Sequence, residues 1–164
     1  MTSRLPIAVV LVAAFAVTTS AQTPTKSPVE GVWKVAEVQI TGGSGSTTSP
    51  QPGLYIFTRG YYSVMAVTGD KPRDAIDFQA QVTTDKDKIA RYDHWAPFTA
   101  NSGTYMVKGT TLTTRPIVAK NDGVMKGPEQ TREIKMEGAA LWLITKGGPA
   151  GANTETRVKL TRVE

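Results

Sequence analysis

No cysteine occurs in the 164 residues, and histidine occurs once, as His94. The first absence excludes thiol catalysis, zinc–thiolate centres and dithiol redox motifs. It also excludes disulfides, which an exported chain would ordinarily be free to form, so core and backbone ladders must hold the fold alone. One imidazole and no thiol are too few ligands for a transition-metal site. No Gly-Lys dipeptide occurs, which rules out a phosphate loop of the G-x-x-x-x-G-K kind, and "GGSGS" and "KGGPAG" lack the G-x-G-x-x-G spacing. No basic run reaches five residues, so nucleic acid is not an expected partner. No carboxylate pair has acid/base spacing, and Asp70, Asp74 and Asp77 read as a solvated loop or helix face. Neither a cofactor nor a metal is expected, and no catalytic residue can be named.

Long apolar runs are equally scarce. One exists, "LPIAVVLVAAFAV", 13 residues preceded by Arg4 and followed by "TSA" before Gln22. A basic start, a short apolar run and small residues at its end make residues 1–21 a signal peptide. A membrane anchor is the alternative, but the run falls short of the roughly 20 residues a span needs. The expected mature chain is Gln22–Glu164, 143 residues, exported to a periplasm or secreted, with no integral membrane span after cleavage. Residues 22–30 would form an N-terminal extension and 31–164 one domain, as a monomer or weak dimer. Loss of Arg4 lowers the net charge from +5 to +4, enough only for a mild preference for anionic small molecules.

What the chain does have is hairpins. "GLYIFT-RG-YYSVMAV", "GTYMV-KG-TTLTTRPIV" and "TREIKM-EG-AALWLIT" each set a two-residue loop with glycine second between apolar runs. A primed turn requires positive φ there. With "GVWKVAEVQI" before and "TETRVKLTRV" after, the count is eight strands. The convincing helix is "TDKDKIARYDHWA", residues 84–96, with Thr84 as N-cap, Asp85 and Asp87 in its first turn and Pro97 as its stop. Ile89, Tyr92, Trp95 and Ala96 form one stripe at helical spacing, expected to pack on the sheet; His94 falls opposite, toward water. A weaker helical turn is read in "RDAIDFQAQ".

The connections alternate between long and tight. In an up-and-down meander every long connection then falls at one end and every tight turn at the other. The fold class is all-β: an eight-stranded up-and-down antiparallel barrel with a short helical insertion between strands three and four. Closure removes exposed edges and leaves an interior for side chains or one small ligand. "TGGSGSTTSPQP" reads as a flexible rim loop rather than an interdomain linker.

These residues carry a family resemblance. Gly31-x-Trp33 opening strand one, the eight-strand meander and an arginine in the last strand resemble the lipocalins. The ordered set "PGLYIFTRGYYSVMAV", "SGTYMVKGTTLTTRPIVAKN" and "GPEQTREIKMEGAALWL" is similar to the short bacterial and fungal lipocalin-like domains of the calycin superfamily. The resemblance implies that Trp33 plugs the closed end beneath an arginine of the last strand. Arg162 matches by position, and Arg157 is the alternative. Two departures, a helix between strands three and four rather than after the barrel and the missing cysteines, keep family ligand specificity from carrying over.

Turn parity assigns faces. Centring the third hairpin on Glu137-Gly138 pairs Met136 with Ala139, Ile134 with Leu141 and Arg132 with Leu143, as the inward set. Trp142 joins Thr131, Glu133 and Lys135 outside. Arg132 is expected just inside the rim. A charge on an inward face needs a partner: Glu155, Asp77 or a loop carbonyl, or else a ligand oxygen held by the guanidinium. Arg115 raises the same question. The hairpin at Arg59-Gly60 divides into Leu54, Ile56, Thr58, Tyr61, Ser63 and Met65 against Tyr55, Phe57, Tyr62 and Val64, and either set can line the interior. The candidate ligand contacts are Arg132, Arg115, Tyr55, Tyr62, Met65 and Leu143. The leading function is binding or carriage of a small, mostly apolar or weakly anionic ligand. The alternative is a cyclase or isomerase acting on a small polyketide- or terpene-like substrate, in which Tyr55, Tyr62, Arg115 or Arg132 polarises a carbonyl. A barrel filled with side chains would remove both.

Overall fold

The computed structural model describes residues 26–69, 71–147 and 151–164. The expected signal peptide, residues 1–21, and Asp70 lie outside the described residues. The strands are β1 (Gly31–Thr41), β2 (Gly53–Thr58), β3 (Tyr61–Val67), β4 (Phe98–Lys108), β5 (Thr111–Ala119), β6 (Gln130–Glu137), β7 (Ala140–Lys146) and β8 (Glu155–Arg162). Each pairs antiparallel with its neighbour in sequence, and β1 pairs with β8, closing the barrel. Helix α1 (Asp85–Trp95) lies between β3 and β4, and α2 (Asp122–Lys126) between β5 and β6. The three tight turns share the base, and the long connections share the mouth.

The base turns differ in their chemistry. At Arg59-Gly60 both loop residues have positive φ, 44° and 86°, the pattern of a type I′ turn. In the other two hairpins the loop is Gly109-Thr110 and Gly138-Ala139, with Lys108 paired to Thr111 and Glu137 to Ala140. Only the glycines are positive there, at 60° and 57°, as in type II′. The expected loops at Lys108-Gly109 and Glu137-Gly138 are therefore one residue too early. Sliding a loop by one changes the pairing by two, which preserves which residues share a face. Ile134 thus faces Leu143 and Met136 faces Leu141, while Lys135 faces Trp142 on the other side. Met136 and Ala139, at the very base, are exposed rather than interior.

Trp33 is the floor. It is fully buried, and its indole N–H donates to the Val29 carbonyl at 2.7 Å. The Arg162 guanidinium lies 4.2 Å from the ring centroid and donates to the carbonyls of Glu30, at 2.9 Å, and Glu164, at 3.2 Å. Arg157 pairs instead with Glu155, at 2.6 Å, in the upper half of β8. Gly31 sits at φ 141°, and a Cβ there would collide with the Arg162 guanidinium and the Glu164 carbonyl. The glycine two before the tryptophan is therefore what lets arginine reach the ring. The segment before β1 contributes too: Val29 is fully buried in the core cluster with Trp33, Phe57, Leu141 and Leu160.

The mouth differs from expectation in three ways. The stretch after β1 is not a free loop: Thr47 and Val38 exchange backbone bonds at 2.7 and 2.9 Å, and Ser46 Oγ accepts from the Ile40 amide at 2.7 Å. In "RDAIDFQAQ" only a turn at Phe78-Gln79 appears. And α1 is capped by Thr84, with Asp87 answering in a capping box, but is rolled the other way about its axis. Ile89, Tyr92 and Trp95 are 60, 72 and 47% exposed. The polar face docks instead. Arg91 donates to the carbonyls of Asp77, Phe78 and Ala80, and His94 Nδ1 lies 3.0 Å from the Asp74 carbonyl, with its ring edge-on to Phe78. The segment after β3 has no ladder to satisfy its carbonyls, so it takes donors from the helix.

Replacing Trp33 with alanine should cost about 3–5 kcal/mol, the range for deleting a large buried aromatic. Denaturant unfolding measures it, and a loss below about 1 kcal/mol would show that the floor does not depend on the ring.

Candidate ligand-binding cavity

Strands β2 and β3 turn their Tyr55, Phe57, Tyr62 and Val64 set inward. Leu54, Ile56 and Met65 face out. The reason is the pairing of Trp33 with Tyr55: the floor tryptophan is inward, so its cross-strand partner is too. Together with Thr99 and Asn101 of β4, Leu112 and Thr114 of β5, Arg132 of β6 and Leu143 of β7, these four residues enclose an interior cavity of about 120 Å³. Of the six candidate contacts, the cavity brings together Arg132, Tyr55, Tyr62 and Leu143. Met65 is excluded, being 44% exposed on the outer wall. Arg115 is excluded as well: it points outward and pairs with Glu129 at 2.5 Å.

Arg132 lies deeper than just inside the rim. The β5–β6 ladder covers only Thr111–Thr114 against Gln130–Glu133, which sets Arg132 opposite Leu112, the second residue of β5 as that strand rises from the base. Its guanidinium donates to Gln130 Oε1 at 3.1 Å and to Thr114 Oγ1 at 3.5 Å. Both acceptors are neutral. Glu155 is taken by Arg157, and the Asp77 carboxylate accepts from the Gln79 amide. No carboxylate lies within ion-pair distance of Arg132 among the described residues.

The phenols complete the polar lining. Tyr62 donates to Asn101 Oδ1 at 2.7 Å, while the Tyr55 hydroxyl has no hydrogen bond among the described residues. Burial pushes both phenols above their ordinary pKa, and the nearby Arg132 charge offsets this only in part. Both therefore stay protonated at neutral pH and serve as donors. The cavity holds one cation, two phenols, the Thr99 and Thr114 hydroxyls and an amide against walls of Phe57, Val64, Leu112 and Leu143. It can hold an oxygen-bearing, otherwise apolar molecule, and none of its groups takes up a proton at neutral pH.

Six lining residues were not among the candidates: Phe57, Val64, Thr99, Asn101, Leu112 and Thr114, of which Phe57 and Val64 belong to the hairpin face already grouped with Tyr55 and Tyr62. Parity across the Gly109 turn could have found Leu112 and Thr114, since both share a face with Arg132 once β5 and β6 are paired. Asn101 and Thr99 sit in "FTANSGTYMV", where small polar residues on both faces erase the alternation. A second, larger hollow of about 660 Å³ lies at the rim between the start of β4, the end of β5 and α2, and it shares Thr99 and Asn101 with the interior cavity. Helix α2 itself was read as loop; Asn121 starts it by accepting from the Gly123 amide at 2.9 Å.

Two solved structures resemble this barrel. One is a lipocalin-like protein from Bacteroides uniformis ATCC 8492, with 16% identity and TM-score 0.43, covering 81% of this chain and 96% of that one. The other is an uncharacterized protein from Bacteroides eggerthii DSM 20697, with 11% identity and TM-score 0.42, covering 81% and 98%. No protein-family model matches the chain, and no curated protein does.

With both phenols pushed up by burial and held neutral, neither ionises between pH 6 and 9. Affinity for a carboxylate should be level across that range. It should fall only as the ligand protonates, near a pKa of about 4.3 for an ordinary carboxyl. Displacement of a fluorescent carboxylate probe measures this, and a loss of affinity between pH 7 and 9 would mean that a cavity group ionises there.

Proposed function

We propose that this chain is an exported protein that binds and carries, or sequesters, a small and mostly apolar molecule through an anionic or carbonyl oxygen. One observation carries the reading. Arg132 points into a cavity of mixed polar and apolar lining with only neutral side-chain partners, Gln130 and Thr114, and with no carboxylate within ion-pair distance among the described residues. A half-buried guanidinium without a counter-ion has charge-assisted hydrogen bonds left to make, and a ligand oxygen supplies them. Cyclase or isomerase chemistry is less well supported. Such a reaction needs a group to move a proton, and the cavity offers neutral phenols with raised pKa and no imidazole or carboxylate.

Arg132→Met keeps the stem and removes the charge. It should weaken a fluorescent carboxylate probe by about 1.5–3 kcal/mol, as for hydrogen bonds to charged groups. Thermal stability should hold, because no acid is left stranded. Unchanged probe affinity with a clear drop in melting temperature would make Arg132 a purely structural residue and remove the basis for ligand binding.

A further inference from the structure

We infer that the ligand is a monocarboxylate bound head-in, with its compact acid end at Arg132 and a larger neutral body outside in the rim hollow. This rests on the reading that the interior binds a ligand, and it adds the ligand's charge, shape and direction.

Volume supplies the first step. A chamber of about 120 Å³ is smaller than the roughly 150 Å³ cavity that takes benzene, and far below the 300–1,000 Å³ that encloses a drug-sized molecule. It has room for a carboxylate and a few carbons, not for a whole ligand of ordinary size. The rim hollow, about 660 Å³, has that room. The two share Thr99 and Asn101, so these residues lie between the hollows, and a ligand that occupies both must pass them. Asn101 is held there by the Tyr62 hydroxyl at 2.7 Å.

Charge supplies the direction. Each hollow has one cation in its lining, Arg132 within and Lys120 at the rim. Lys120 is already engaged: its ammonium donates to the Phe98 carbonyl at 2.8 Å, to that of Ala96 at 3.3 Å and to that of Trp95. Those carbonyls close the C-terminal end of α1, and they leave the ammonium little to offer an anion. Asp122 also lines the rim, paired with Lys126 at 2.8 Å, and offers an anion no attraction. Inside, Arg132 meets only a threonine hydroxyl and a glutamine carbonyl, both readily exchanged for a carboxylate. The Tyr55 hydroxyl, without a partner among the described residues, is a further donor. An anionic end is therefore favoured inward rather than at the rim.

Two isomeric acids separate this orientation from its alternatives. Octanoate carries its bulk away from the acid group, and 2-propylpentanoate carries it beside. Head-in binding past Thr99 and Asn101 should favour octanoate by about tenfold or more in calorimetric titration of the wild-type protein. Octanoate should also exceed octanol by about tenfold, a gap that Arg132→Met should close. Ala119→Trp, which fills the rim hollow, should weaken octanoate while leaving butyrate, read by NMR shift titration, within about twofold. Its melting temperature checks the fold. Equal affinity for the two isomers, or for octanoate and octanol, overturns the head-in carboxylate while leaving interior binding intact. If no acid or alcohol of this set perturbs the Tyr55, Tyr62 or Arg132 resonances, interior binding itself falls, and this inference with it.

Discussion

The stacked pair of Trp33 and Arg162 is the constraint on which the rest of the barrel depends. With no disulfide to tie them together, the first and last strands meet along a ladder from Trp33–Arg162 to Thr41–Glu155, and Arg162 locks its lower end over the tryptophan in the space that Gly31 leaves. Arg162 is exposed on its outer side, where a cation over an indole face is worth about 0.5–1 kcal/mol. The guanidinium also donates to the Glu30 and Glu164 carbonyls, so one side chain ties together the residues flanking β1 and β8. Val29, folded back under the indole, makes the residues before β1 part of the floor.

Above that floor the interior is filled from the bottom up. Phe57, Tyr105, Tyr62 and Tyr55 pack in contact with one another or through Phe57, with Phe57 and Tyr105 edge-to-face at 5.2 Å. Aromatic filling leaves a small chamber rather than an open calyx. It also raises the value of each polar group that remains, since a hydrogen bond in a low-dielectric interior is stronger than the same bond in water. The neutral surroundings of Arg132 thus matter more than the cavity's size.

Much of this was legible in the sequence, for reasons that can be traced. Alternation of side chains has a period of two, and tight glycine turns recur, so strand number, order and the inward parity of Arg132, Ile134 and Leu143 survive a one-residue error in the turns. Met65 and Arg115 were misplaced for different reasons. Both faces of the β2–β3 hairpin are apolar, so nothing in the sequence marks Met65 as outward, whereas Arg115 alternates with the inward Thr114 and Pro116, a parity that only the pairing of β5 with β6 makes plain. Helix α1 was found from its cap and its stop, yet its orientation was read from hydrophobicity alone. Carbonyl groups on the neighbouring loop decided it, drawing in Arg91 and His94, leaving Ile89 and Tyr92 outside and Trp95 half-exposed against Phe78 and Phe98. Hydrogen-bond demand of irregular backbone leaves no periodic trace, and the small polar residues of β4 that lie between the two hollows leave none either.

The short ladder between β5 and β6 gives the wall a line of weakness. Only Thr111–Thr114 and Gln130–Glu133 are in register there, whereas β4 and β5 pair from Asn101 to Lys108. Segments with few shared backbone bonds open at lower free energy than the body of a sheet. Thr114 stands on one side of this seam and Arg132 on the other, joined by a long 3.5 Å contact. A guest that grips both would act as a rivet across the slit. Loading would then be felt as a stiffening of the barrel's side, along the seam where the wall has the fewest backbone bonds of its own.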